Sequence, residues 1–386
     1  MTAPMPIQIV FRPAFALDHA AVPRSDASFA KAEAAVARWT ALLELPELVR
    51  NLDFEDWHEN ACQLIAAVDT GLPVFVMGRG YEECHQVVRA FNTDAALPAA
   101  GVPTIVIGCL LKSEPFIDGY ARERAPDWMR DLDVRWPETA RVRAARNYWE
   151  NPAFHANAGR RCALAAIPDG DTIPSSDPSA MVPVVQHLAR EGGRDLMVKI
   201  VAESKYAGLE RIAVVDPEDA ASIQAQLFNA FDYALVHLEG RQAGLLVQDR
   251  VQFAHEYRTI VIDGRPVAGA GCVEALCPPY GSGAVFHTAT EAVRGDGVIL
   301  RDVAQIFQLE AAAKRIAEEV AAANPLMTDC TLDLGVLPDG RVAVIETNPL
   351  LNYGLYCIDY RLVLQAIVAM VRARAAAHAA TAHTAA

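Results

Sequence analysis

The sequence predicts an α/β protein of more than one domain, with an open α/β-sheet unit first and a hairpin-rich unit after it. Three observations carry that prediction. Strand-like and helix-like stretches alternate through residues 1–120, the pattern of a sheet covered by helices. Two Asp-Gly dipeptides, Asp263-Gly264 and Asp339-Gly340, each divide a pair of alternating runs. Such a dipeptide suits a tight hairpin, whose central positions take φ > 0. Finally, 386 residues with 52% hydrophobic content are enough for two or three domains with real cores.

In chain order, Ile7–Phe11, Val74–Met77 and Pro103–Leu111 are short apolar runs and read as strands. Phe29–Leu45, rich in alanine, and Asp56–Val68 carry helical spacing. Asp118–Pro183 mixes tryptophans with proline-rich turns such as IPDGDTIPSSDPSAMVP, and reads as a connection between domains. A helix over Val184–Arg190 leads into the strand Leu196–Val201, and a second strand follows at Glu210–Val215. The helix Pro217–Tyr233, the strand Gly244–Val251 and the hairpin Glu256–Glu274 come next. Then follow the helix Val303–Ala323, the hairpin Cys330–Asn348 and a last helix, Tyr360–Arg374. The expected division is 1–120, 121–194, 195–374 and an alanine-rich flexible tail, 375–386.

A net charge of −14 argues against nucleic acid as a partner, since phosphate binding wants clustered Lys and Arg. No apolar run approaches the ~20 residues that span a bilayer, so no membrane partner is expected. The opening MTAPMPIQIVFRPAF lacks a basic start and a cleavage site, so no signal peptide is expected. Eight cysteines, at 62, 84, 109, 162, 272, 277, 330 and 357, form no CxxC pair. Scattered thiols fit a reducing compartment, and a cytoplasmic location follows as the expectation. Oligomeric state is not legible.

The most informative stretch is CTLDLGVLPDGRVAVIETN, Cys330–Asn348. A two-residue turn at Asp339-Gly340 would set Pro338 opposite Arg341, Leu334 opposite Ile345 and Asp333 opposite Glu346. Asn348 then shares a face with Glu346. Two carboxylates facing each other repel and call for a cation. Three hard oxygen donors without thiolate or imidazole suit Mg²⁺ completed by substrate phosphates. An exposed acidic hairpin is the alternative, and a three-residue loop with a bulge would shift the register and turn Asp333 away.

Upstream, EYRTIVID puts Glu256 and Arg258 on one face, and a two-residue turn would place Gly271 opposite Glu256 and Gly269 opposite Arg258. Glycines there would leave room for a ligand. GLLVQDRV turns polar at Gln248, as the end of a strand that offers groups to a purine. LMVKIV carries Lys199, either an edge-strand cation or a functional one, and AESKYAGL carries Lys205 between two strands. Lysines so placed can meet phosphate oxygens.

In order, VKIV, ESKYAGLE, LLVQDRV, EYRTIVIDG and DLGVLPDGRVAVIETNP resemble the ATP-grasp superfamily over Asp195–Tyr360. The resemblance implies an ATP-grasp fold behind an N-terminal open α/β-sheet domain. It implies ATP and Mg²⁺ as cofactors, with Lys199 and Lys205 on the phosphates. Gln248, Asp249 and Val251 would lie along adenine and ribose, and Glu256 and Arg258 on the cleft floor. Asp333, Glu346 and Asn348 would hold the metal, with Arg258 and Lys205 as the catalytic pair. The implied activity is ATP-dependent ligation of a small carboxylate to an amine through an acyl phosphate, amino-acid or peptide ligation among the options. The alternatives are a kinase of the same fold and a nucleotide-binding regulatory protein.

Three other motifs read as ordinary structure: Met77-Gly78-Arg79-Gly80 as a strand–helix turn, His58-Glu59-Asn60-Ala61-Cys62 as a helix surface, and Gly281-Ser282-Gly283 as a loop.

Overall fold

The computed structural model describes residues 6–13, 20–22, 41, 48–50, 54–78, 85–108, 125–166, 181–202, 209–235, 243–271, 284–291, 299–350, 354–356 and 358–384. The expected helix Phe29–Leu45, the motifs at 79–80 and 281–283, and Lys205 lie outside these residues, Lys205 among 203–208.

The N-terminal sheet has the order β5-β4-β1-β6-β7. Its strands are β1 (Gln8–Arg12), β4 (Val74–Met77), β5 (Val87–Phe91), β6 (Pro103–Gly108) and β7 (Asp133–Trp136). Strands β2 (Ala20–Val22) and β3 (Leu48–Arg50) form a small parallel pair apart from it. β1, β4, β6 and β7 run parallel, and β5 is an antiparallel edge. Burial of every residue of VFVM, and of four of five in β1, follows from a parallel sheet covered on both faces. β7 falls inside the stretch read as a connection, so the sheet extends past residue 120.

The helices are α1 (Phe54–Asp69), α2 (Asp127–Arg130), α3 (Thr139–Arg146), α4 (Pro152–Asn157), α5 (Val182–Arg190), α6 (Ala220–Leu235), α7 (Val303–Ala323) and α8 (Tyr360–Thr384). α8 runs ten residues beyond Arg374, so the alanine tail, expected to fray, continues the last helix, as its alanine content favours.

The second sheet, order β10-β9-β11-β8, is antiparallel. It comprises β8 (Cys162–Ala166), β9 (Asp195–Ala202), β10 (Leu209–Ala213) and β11 (Ala243–Asp249). One face, with Leu196, Val198 and Val247, packs under α5 and α6. The third sheet, order β13-β12-β16-β17, comprises β12 (Glu256–Ile262), β13 (Arg265–Gly271), β16 (Cys330–Val336) and β17 (Val342–Asn348). Its Tyr257–Val261 and Leu332–Leu334 face packs on α7. Ile260 and Ile262 on the opposite face join α8 and the N-terminal sheet in one continuous core. The short pair β14 (Ala289–Glu291) and β15 (Ile299–Arg301) flanks β13.

Both hairpins depart from simple two-residue arithmetic. At the first, Asp263 (φ 52) and Gly264 (φ 74) form the expected turn, but Val267 bulges beside Pro266 on the edge strand. Gly271 therefore pairs with Tyr257, and Gly269 with Thr259. That corrects the expected pairings with Glu256 and Arg258. The space at these glycines is taken by protein: a Cβ at Gly269 would meet the Tyr257 and Phe286 rings at 2.7 and 2.9 Å, and one at Gly271 the Ala289 carbonyl at 2.5 Å.

At the second, Leu337 N–H donates to Arg341 O (2.8 Å) and Gly340 N–H to Leu337 O (2.9 Å), closing a three-residue loop with Gly340 at φ 83. Leu337 thus faces Arg341, and Leu334 faces Val344, where Pro338 and Ile345 were expected. Ile345 is then the extra residue of a bulge, and the two shifts cancel: Asp333 faces Glu346 after all.

Candidate functional site

Because directly opposed residues share a face, the pairings Arg258–Asp333 and Asp333–Glu346 line three side chains across β12, β16 and β17. One pair further on, Asn348 lies opposite Thr331. Arg258 and Asp333, 5% and 7% exposed, form a fork: Nε and Nη2 donate to the two carboxylate oxygens at 2.7 Å each. Asn348 Nδ2 donates to Asp333 Oδ2 (3.1 Å) and to Glu346 Oε1 (2.9 Å). From the second sheet, Lys199 pairs closely with the other oxygen of Glu346. Its ammonium also stands 5.6 Å from the ring of Tyr148. Two cations thus neutralise two carboxylates that would otherwise repel.

Glu256, next on the Arg258 face, has its pKa raised, first by burial and then by the Asp333 charge, against the lowering pull of Arg258. Burial also raises the Tyr148 hydroxyl, with Arg160 opposing.

The donor set matches a hard divalent cation: two carboxylates and an amide oxygen available on rotation of Asn348, converging at one sheet edge. Among the described residues no group of three or more His, Cys, Asp and Glu side chains forms a metal cage. Such a trio therefore leaves coordination positions for phosphate and water.

Gln248, opposite Cys162 and Met197, is on the Leu246 face of the second sheet, as is Lys199. Asp249 is on the other face, where Arg161 forks it at 2.8 and 2.6 Å, so it is not brought together with the rest. Val251 follows β11, half-buried. Arg258 is engaged on every side: beyond Asp333, its Nη1 donates to Gly354 O (3.2 Å) and its guanidinium carbon lies 5.0 Å from the Tyr356 ring. That segment is held from the N-terminal domain by Glu59, which accepts from the backbone N–H groups of Leu355 and Tyr356. Glu59, read as helix surface, is thus a tether.

Arg160 was not anticipated. It sits before β8, in the stretch read as a connection, and donates to Gln248 Oε1 (2.9 Å), Val344 O (2.8 Å) and Ile345 O (2.9 Å). Only the paired basic residues before a short apolar run, RRCALAA, mark it in the sequence.

Residues 192–366 match a family model described as an ATP-grasp domain, the second family of its clade. Among solved structures, a D-cycloserine synthetase, DcsG, is 14% identical with a TM-score of 0.48, over 95% of this chain and 99% of that one. The D-alanine–D-alanine ligase from Coxiella burnetii is 12% identical with a TM-score of 0.47, over 98% of both chains. D-alanyl-alanine synthetase A from Vibrio cholerae is 9% identical with a TM-score of 0.44, over 96% of this chain and 99% of that one. No curated protein matches the chain. The matched span runs from the residues before β9 into α8 and includes Lys199, Arg258, Asp333, Glu346 and Asn348; the chain carries an ATP-grasp domain of that family.

Proposed function

We propose that the protein is an ATP- and Mg²⁺-dependent ligase that joins a small carboxylate to an amine, of the amino-acid or peptide kind. The observation that carries this reading is the row Arg258–Asp333–Glu346, with Asn348 beside it and Lys199 reaching it from the facing sheet.

A substrate carboxylate oxygen attacks the γ-phosphorus of ATP, forming an acyl phosphate as the bond to ADP breaks. The amine nitrogen then attacks the acyl carbon, loses a proton, and inorganic phosphate leaves. Asp333, Glu346 and Asn348 would hold Mg²⁺, which neutralises β- and γ-phosphate charge when bound. Lys199, released from Glu346 as cation and nucleotide arrive, turns its ammonium to the phosphate oxygens. Lys205 serves the same anion from the segment between β9 and β10. Arg258 keeps Asp333 ionised and aimed, and so acts through that carboxylate; its other side supports the Gly354–Tyr356 segment. Gln248 and Val251 line the purine side of the cleft, with Glu256 on its floor. Catalysis here is positioning and charge neutralisation and needs no side-chain nucleophile.

The test is ADP release across a panel of amino acids and small carboxylates, with mass spectrometry of the products. A ligase releases ADP and phosphate only with both substrates, and hydroxylamine traps its acyl phosphate. A stable phosphorylated product would mean a kinase. Protection by Mg-ATP without any turnover would mean a binding protein.

A further inference from the structure

Glu346 faces Asp333 only because a three-residue loop and a bulge cancel. Before the bulge Val344 faces Leu334; after it Glu346 faces Asp333, with Ile345 as the extra residue. An unbulged strand on the same loop would set Ile345 opposite Asp333 and turn Glu346 to the α7 face. Something must therefore favour the bulge.

In a regular strand successive carbonyls point to opposite edges, so one side chain cannot take two in a row. Arg160 does so: Nη1 donates to Val344 O (2.8 Å) and Nη2 to Ile345 O (2.9 Å). β17 is the edge of its sheet, so no further strand competes there. The same guanidinium donates through Nη1 to Ala158 O (2.8 Å) and through Nε to Gln248 Oε1 (2.9 Å). The Phe154 and Phe253 rings lie 5.9 and 5.8 Å from its carbon. A planar fork with fixed donors fits that arrangement, and an ammonium does not.

We propose that Arg160 is a positioning residue: it pins the bulge at Ile345, holds Glu346 opposite Asp333, and ties that strand to Gln248 on the neighbouring sheet. Only the meaning of Glu346 as a cation ligand rests on the function proposed above.

The test compares the full-length wild type with Arg160→Met and Arg160→Lys by hydrogen exchange, and by Mn²⁺ titration followed by electron paramagnetic resonance without nucleotide. In Arg160→Met, amides of residues 343–347 should exchange about tenfold faster while β12 keeps its protection. Mn²⁺ affinity should fall by about tenfold, the loss of roughly one charge-assisted hydrogen bond. Arg160→Lys, the variant to rely on if the methionine variant does not fold, should fall between. Unchanged exchange at 343–347, or a uniform rise over all three sheets, would overturn the proposal. So would local loosening with Mn²⁺ bound as tightly as before. A wild type that binds no Mn²⁺, with exchange still accelerated in the variant, would sink the cation reading and leave the pinning intact.

Discussion

Replacing Arg258 with methionine keeps most of the side-chain volume and removes the guanidinium. Asp333 then loses both fork bonds, at 2.7 Å each, and retains the single Asn348 amide. The side chains of the pair are only 6% and 10% exposed, so water cannot replace what is lost. Breaking one side of such a buried pair costs about 3–5 kcal/mol. Loss of the Tyr356 ring contact at 5.0 Å adds about 0.5–1 kcal/mol. At about 2–4 °C per kcal/mol for a domain of 150–250 residues, the thermal midpoint should fall by roughly 10 °C. Urea unfolding followed by tryptophan fluorescence, with calorimetry for the midpoint, measures both quantities. Adding Asp333→Leu should recover most of the stability, because two apolar side chains leave no orphan charge. A single variant within about 1 kcal/mol of wild type, or a double variant worse than either single one, would refute the description of this fork as a closed, desolvated pair.

Glu346→Gln should leave the fold intact and cut Mn²⁺ affinity by about 100-fold, since a charged ligand becomes neutral; a binding isotherm equal to wild type removes Glu346 from the site. Glu256 has a folded pKa above its ordinary 4.5, so the native state holds the proton longer. Stability from that group is present below 4.5 and lost as pH rises to the folded value. Glu256→Gln should flatten this decline, and urea midpoints from about pH 4 to 7 that stay parallel in both proteins would contradict it. Gly271→Ala brings a Cβ within 2.5 Å of the Ala289 carbonyl and 2.7 Å of Thr290 Cα. Backbone cannot step aside cheaply, so a loss of about 1–3 kcal/mol is expected; an unchanged urea midpoint would contradict that packing.

Local chemistry was readable where neighbours in sequence decide the outcome. The Asp263-Gly264 turn follows from two residues that tolerate positive φ, and α7 matches its expected span to the residue. β9 and β11 were visible as apolar runs, and the trio Asp333, Glu346 and Asn348 as oxygen donors at alternating positions. The stretch 118–183 was opaque. β7 and β8 are short strands, legible only by the strands they join, and Arg160 binds partners 88 to 185 residues away.

The convergence of Asp333 and Glu346 separates the two levels. Residue identities and alternation were enough to name both carboxylates and to see that a cation would be wanted between them. Which way each one points was a tertiary matter. A turn adds or removes one residue at almost no local cost, and each such step flips a strand's faces. The Pro338–Gly340 loop made that step, and the bulge at Ile345 reversed it. Backbone carbonyls at such an edge have no preference written in their own residues. Their direction is set by the distant guanidinium that receives them.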